Sequence, residues 1–82
     1  MEEAKRRYSS VSDIRTVVTP DLWKLSLKQA GDHELYNLNE DPYEMKNLYF
    51  IGEYKDKIKE LKGLILDWQK ETGDNAVLPA DE

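Results

Sequence analysis

WKLSLK, residues 23–28, has the strictest alternation of apolar and polar residues in the chain, and this segment decides the fold. Trp23, Leu25 and Leu27 are separated by single polar residues. This period of two predicts a β-strand with one buried face and one face in water. A strand of this type belongs in an antiparallel sheet that is covered on one side.

The segments on either side of this strand predict its partners. Residues 14–19 (IRTVVT) are rich in β-branched side chains, and residues 34–38 (ELYNL) follow the central strand. Turn signals separate the three segments, at Pro20-Asp21 and at residues 30–32 (AGD). We therefore predict a short antiparallel meander of three to four strands. The residues that favour an extended chain begin at Tyr8.

The C-terminal half changes to the helical period. Apolar residues recur at intervals of three and four over residues 53–72, and Gly73 suits the left-handed position after a helix. Because a sheet and a helix with one apolar face each must cover one another, we predict an α+β fold with one long C-terminal helix packed across one face of the sheet. Trp23 and Trp68 are expected to be its largest core residues. The predicted core consists of Trp23, Leu25, Leu27, Tyr54, Ile58, Leu61, Ile65 and Trp68.

The domain boundaries follow from the loss of these patterns at both ends. Residues 1–7 (MEEAKRR) are charged and have no period, so we expect a disordered arm that lacks the apolar segment of a secretory signal. Residues 75–82 contain a proline and two acidic residues and show no period, so a disordered acidic tail is expected there. The predicted domain spans residues 8–74.

Composition excludes several classes of protein. The 82 residues contain no cysteine, a single histidine and a formal charge of −5. A disulfide framework, a thiolate zinc site and a cysteine nucleophile are therefore excluded. The sequence has no cluster of basic residues that could bind nucleic acid. It also has no run of about 18 apolar residues that could span a membrane. The missing cysteines leave the compartment undetermined.

The polar segments lack the residues that a catalytic, phosphate-binding or calcium-binding site would need. His33 lies in a charged turn, where we expect a surface residue, and the glycines are too dispersed for a phosphate-binding loop. Asn37, Asn39 and Asp41 have the spacing of calcium ligands, but Pro42 stands where that loop needs glycine. The acidic stretch of residues 32–47 is interpreted as a solvated loop. The residues alone describe a small non-catalytic module.

The order of several short motifs is more specific than any one of them. The chain resembles the C-terminal subdomain of the sulfatase family, the arylsulfatase-like and sulfoglucosamine-sulfohydrolase-like hydrolases, over about residues 14–74. Two positions depart from the family pattern, Leu22 in place of an arginine and Tyr43 in place of a glycine. The motifs that carry the resemblance are Arg15-Thr16, Trp23-Lys24-Leu25, residues 34–38 (ELYNL), Glu40-Asp41-Pro42, Asn47-Leu48, and Trp68 followed by Glu71-Thr72-Gly73-Asp74.

The resemblance implies a division of labour between two domains. Sulfatases use a formylglycine, made from the Cys or Ser of a [CS]-x-P-S-x-R motif, and a calcium ion, and both lie in a large catalytic domain. This chain has no such motif, so no catalytic, cofactor-binding or metal-binding residue is expected in it. The implied partner is a sulfatase catalytic domain, whose substrate cleft this subdomain would help to shape. Its family is often exported.

Lys24 is the one candidate for contact with a substrate. Its ammonium group could approach an anionic sulfated group at the interface between the domains, and the alternative is a lysine that only keeps the strand soluble. Two wider interpretations also remain open. The chain is either a piece of a sulfatase or a free-standing protein-interaction module of the same fold. Apolar residues on both faces of the sheet also leave room for a homodimer.

Overall fold

A computed structural model describes residues 6–11 and 14–74 and has the predicted α+β architecture. Four antiparallel strands lie in the order β1-β2-β3-β4, and a single long helix follows them. The expected tail of residues 75–82 and most of the expected arm, residues 1–5, lie outside the described residues. The strands are β1 (Arg7–Val11), β2 (Ile14–Val18), β3 (Trp23–Lys28) and β4 (Glu34–Asn37), and the helix is α1 (Lys55–Thr72).

β1 is the strand that the hydrophobic pattern located least well. It begins at Arg7, the last residue of the expected arm, and pairs with β2 over its whole length. Four of its five residues are exposed, and only Tyr8 is half-buried. Backbone pairing with β2 therefore holds this strand, since its sequence, RYSSV, has little apolar surface to bury.

A row of directly paired residues forms the floor of the core. Tyr8 lies opposite Val17, Val17 opposite Leu25, and Leu25 opposite Leu35, so these side chains share the face of the sheet that α1 covers. The side chains that are completely buried between the sheet and α1 are all aliphatic: Val17, Leu25, Leu27, Leu35, Leu61 and Ile65.

The two tryptophans lie at the rim of this core. Both are half-buried, whereas we expected them to be its largest members. Trp68 stacks on Tyr8 with ring centroids 5.5 Å apart, and Trp23 tilts against Tyr54 at 6.0 Å. Their positions explain this, because Trp23 is the first residue of β3 and Trp68 lies in the last turns of α1. Tyr54 and Ile58 are likewise partly buried and pack against the aliphatic cluster.

The helix begins and ends as its sequence indicates. A 3-10 turn at Gly52–Tyr54 leads directly into α1, so the helical segment starts within one residue of the predicted position. Gly73 follows α1 with a φ of 75°, the left-handed conformation that glycine adopts without strain. None of the helices in the described segments combines the length and the apolarity needed to cross a bilayer.

The turn between β2 and β3 stands at the first departure from the family pattern. Leu22 has a φ of 68°, which is unusual for a residue with a side chain. Its N–H donates to the carbonyl of Thr19, and the Thr19 hydroxyl accepts the N–H of Trp23 at 3.1 Å. These bonds hold Leu22 in a conformation that asparagine or glycine would adopt more easily.

Candidate functional site

The face of the sheet opposite α1 is the candidate site, and we call it the open face. No helix in the described part of the chain covers it. The strand register places on it every second residue of each strand, and these side chains are mostly polar. They are Arg7, Ser9 and Val11 from β1, Ile14, Thr16 and Val18 from β2, Lys24, Ser26 and Lys28 from β3, and Glu34 and Tyr36 from β4.

Lys24, the candidate from the sequence, lies on the open face with its side chain 28% exposed. Its ammonium group donates to Oε2 of Glu44 at 2.9 Å. Glu44 comes from the loop after β4 and has a φ of 57°. Lys24 is therefore held by a carboxylate 20 residues away, but its exposed fraction leaves it in contact with solvent.

Asp41 fixes the loop that presents Glu44. Its carboxylate accepts the N–H groups of Met45 and Lys46 at 2.8 and 2.9 Å, and these bonds lower the pKa of Asp41. Both oxygens of Asp41 are thus used to cap a turn. The calcium-like spacing noted in the sequence is explained by this turn chemistry.

A second polar group on the open face joins β3 to β4. Glu34 accepts hydrogen bonds from the ammonium of Lys28 and from the hydroxyl of Tyr36, the latter at 2.8 Å, and these bonds lower the pKa of Glu34. Burial, followed by the bond to Glu34, raises the pKa of Tyr36 to about 12. Tyr36 therefore stays protonated at neutral pH and acts as a hydrogen-bond donor rather than as a base.

A shallow pocket of about 310 Å³ lies on the open face beside the Lys24–Glu44 pair and β1. Arg7, Ser9, Thr16 and Lys24 contribute cationic and hydroxyl groups to it, and Leu38 and Val18 supply apolar wall. Thr16 and Ser26 share a hydroxyl–hydroxyl hydrogen bond of 2.9 Å beside it. The Glu44 carboxylate also lines the pocket, beside Lys24, so the site offers two cationic groups, one carboxylate and two hydroxyls to a polar ligand or a polar protein surface.

Within residues 6–11 and 14–74, no three His, Asp or Glu side chains are grouped in a way that could hold a metal ion. His33 is buried, since Nδ1 accepts the N–H of Lys28 at 3.0 Å and the ring packs against Tyr49. The His33 ring therefore lies inside the protein, whereas its charged turn predicts a surface residue.

A buried ion pair, which sequence reasoning missed, ties the end of α1 to β2. Nε of Arg15 lies 2.6 Å from Oδ2 of Asp74, and Nη2 donates to Oδ1 at 3.0 Å. Gln69 donates to the same carboxylate at 2.9 Å. The two residues stand 59 positions apart, so no local signal pairs them. They are also the first and last positions of the motifs that resemble the sulfatase family.

His33 predicts a pH dependence of stability. Burial, aided by the nearby charges of Lys62 and Lys28 and opposed by Asp32, lowers the pKa of His33 below its usual 6.5. The folded protein therefore binds fewer protons than the unfolded chain, and the contribution of His33 is complete above pH 6.5 and lost as the pH falls through the folded pKa. Urea unfolding between pH 7.5 and 5 should show this loss.

The control for this prediction is His33→Asn, whose Oδ1 occupies the position of Nδ1 and can still accept the N–H of Lys28 but does not titrate. In that variant the free energy of unfolding should change much less between pH 7.5 and 5. An equal pH dependence in both proteins would contradict the role of His33.

Comparison with known proteins finds one informative similarity. Over 51 residues, or 62% of the chain, the sequence is 39% identical to an "Ulvan-active sulfatase" of Formosa agariphila. The matched segment amounts to 9% of that protein's length. No protein-family model matches the chain. No solved structure matches it either. The similarity supports a sulfatase-related origin for this region of the chain.

Proposed function

We propose that this chain is the non-catalytic C-terminal subdomain of a sulfatase-like sulfuric ester hydrolase. In the intact enzyme it packs beside the catalytic domain and helps to shape the substrate cleft. The observation that carries the proposal is the 39% identity to a sulfatase over 51 residues. The ordered motifs from Arg15 to Asp74, whose two ends meet in one ion pair, support it.

The open face is the surface that we assign to the catalytic domain. The chain covers the other face of its sheet with α1, and the open face presents donors around a shallow pocket. The ammonium group of Lys24 pairs with one carboxylate, and its side chain is still partly exposed, so a sulfate group could share its ammonium. In this role Lys24 is a positioning residue for an anionic substrate.

The reaction belongs to the partner domain. The formylglycine and the calcium ion that the family uses would both come from the catalytic domain, and this chain would supply neither. The name of the similar protein points to a sulfated polysaccharide as the substrate class of the parent enzyme.

The first test is hydrolysis of a chromogenic aryl sulfate. The pure chain is expected to show no turnover above the buffer blank, because its sequence lacks the [CS]-x-P-S-x-R motif and the described residues hold no cluster of metal ligands. An enzyme that hydrolyses the same aryl sulfate serves as the positive control. Turnover that follows the pure chain through chromatography would contradict the proposal.

The second test is the reading frame upstream of Met1. An in-frame segment that encodes Cys-x-Pro-Ser-x-Arg or Ser-x-Pro-Ser-x-Arg supports the proposal.

In such an enzyme Lys24→Glu should raise KM for a sulfated oligosaccharide about tenfold, while Lys70→Glu, on the last turn of α1, should not. An unchanged KM in Lys24→Glu would remove Lys24 from the site.

A free-standing interaction module is the second candidate. Three large apolar side chains of the loop after β4, Tyr43, Met45 and Phe50, are each at least 70% exposed, and such residues often mark interaction surfaces. A start site with its own ribosome-binding signal would favour this function. Light scattering distinguishes a monomer from a homodimer that buries the open face.

A further inference from the structure

A second cavity lies away from the open face, between α1 and the loop that leads into it. Its volume is about 470 Å³, which is within the range of small-ligand sites. Residues 49–52 form one wall and the first two turns of α1 form the other. Because Leu48 bonds to Leu35 at the free edge of β4, this loop passes around that edge to the side covered by the helix.

The charge of this cavity is opposite to that of the chain. Lys55, Lys59 and Lys62 line it with one acidic residue, Asp56, in a protein whose formal charge is −5. Lys62 is buried, whereas Lys55 and Lys59 are exposed and available to a ligand. Concentrated positive charge in a concave site attracts anions and raises their local concentration.

The remaining lining is apolar and aromatic. Phe50 is 70% exposed at the rim, and its ring meets that of Tyr49 edge-on at a centroid distance of 4.9 Å. Ile51 and Ile58 are half-buried and continue the apolar surface. A ligand that fits this lining has an anionic group for the lysines and a ring with an apolar face for the aromatic rim.

We propose that this cavity, which we call the lysine cavity, binds a sulfated saccharide. The proposal rests on the proposed function for its choice of sulfate and of sugar. The lysine cavity lies on the helix side of the sheet, so it stays accessible when a catalytic domain covers the open face. In the intact enzyme it would hold a second segment of a sulfated polymer while another segment reacts.

The test is binding of defined probes to the full 82-residue chain, measured by calorimetry at low salt. The probes are a dextran sulfate oligosaccharide, carboxymethyl dextran, unmodified dextran and inorganic sulfate. The sulfated oligosaccharide should bind tightest and unmodified dextran should not bind. Equal binding of unmodified dextran would overturn the proposal, and equal binding of carboxymethyl dextran would overturn the assignment to sulfate.

Matched charge reversals locate the site. Lys55→Glu/Lys59→Glu should weaken binding of the sulfated oligosaccharide at least tenfold, whereas Lys46→Glu/Lys70→Glu, which reverses two exposed lysines outside the cavity, should change it less than threefold. Phe50→Ala should weaken the oligosaccharide without affecting inorganic sulfate. Similar losses in the two double variants would show diffuse attraction and overturn the proposal.

This experiment is independent of the test of the proposed function. Saccharide binding by the chain does not need turnover or an upstream domain. If the upstream frame encodes no sulfatase motif but the lysine cavity binds the sulfated probe, the proposed function fails alone. If the motif is present and the probe binds equally well to Lys55→Glu/Lys59→Glu, the lysine cavity fails alone.

Discussion

Ile65→Ala is expected to lower the free energy of unfolding by about 3 kcal/mol, the largest effect that we predict for a single core residue. Ile65 is completely buried, on the face of α1 that packs over the sheet. Alanine removes three carbon atoms and leaves a cavity that the neighbouring strands fill only in part. Urea unfolding followed by circular dichroism measures the difference.

The control is the next residue along the helix. Leu66 is 43% exposed, so Leu66→Ala should cost less than about 1 kcal/mol while making a similar change in volume. A domain of this size has little stability to lose, and Ile65→Ala could unfold it. Ile65→Val keeps the measurement possible, with an expected loss of about 1 kcal/mol. Equal losses at positions 65 and 66 would contradict the packing described.

The sequence predicted those elements whose apolar residues have a clear period. β3 alternates strictly, and the helix repeats its apolar residues at three and four, so both were located within one or two residues. β1 escaped the same reasoning because Arg7–Val11 is polar and is held by its backbone pairing with β2. The tryptophans were placed too deep, because size does not indicate where along an element a residue lies.

The candidate site shows the same division. The alternation of β3 predicts that Lys24 lies on the face opposite the core, and the strand register agrees; its role as a site residue stays a prediction. Its partner Glu44 could not be found, since a loop with a left-handed residue brings it back over the sheet. The lysine cavity also could not be predicted from the sequence, because Phe50 and Lys59 line the same cavity only as a result of the path of the chain around the edge of β4.

Asp74→Ala is expected to lower the free energy of unfolding by about 2 kcal/mol. The carboxylate accepts two hydrogen bonds from Arg15 and one from Gln69, and the side chains of the ion pair are only 10% and 16% exposed. Removal of Asp74 takes from the Arg15 guanidinium a carboxylate that accepts two of its N–H groups at a partly buried site, and such losses exceed those of surface pairs. Glu60→Ala, which breaks the exposed pair with Lys57, is the control and should cost less than about 0.5 kcal/mol.

The geometry of the pair makes a sharper claim than its charge does. Arg15→Lys keeps the positive charge but cannot reproduce the two parallel N–H donors that Asp74 accepts, so it should lose most of what Arg15→Met loses. In a double-mutant cycle with Asp74→Ala, the coupling energy should be at least about 1 kcal/mol. A coupling near zero would mean that Asp74 only caps the end of α1. The ends of the sulfatase-like segment would then meet without stabilising each other.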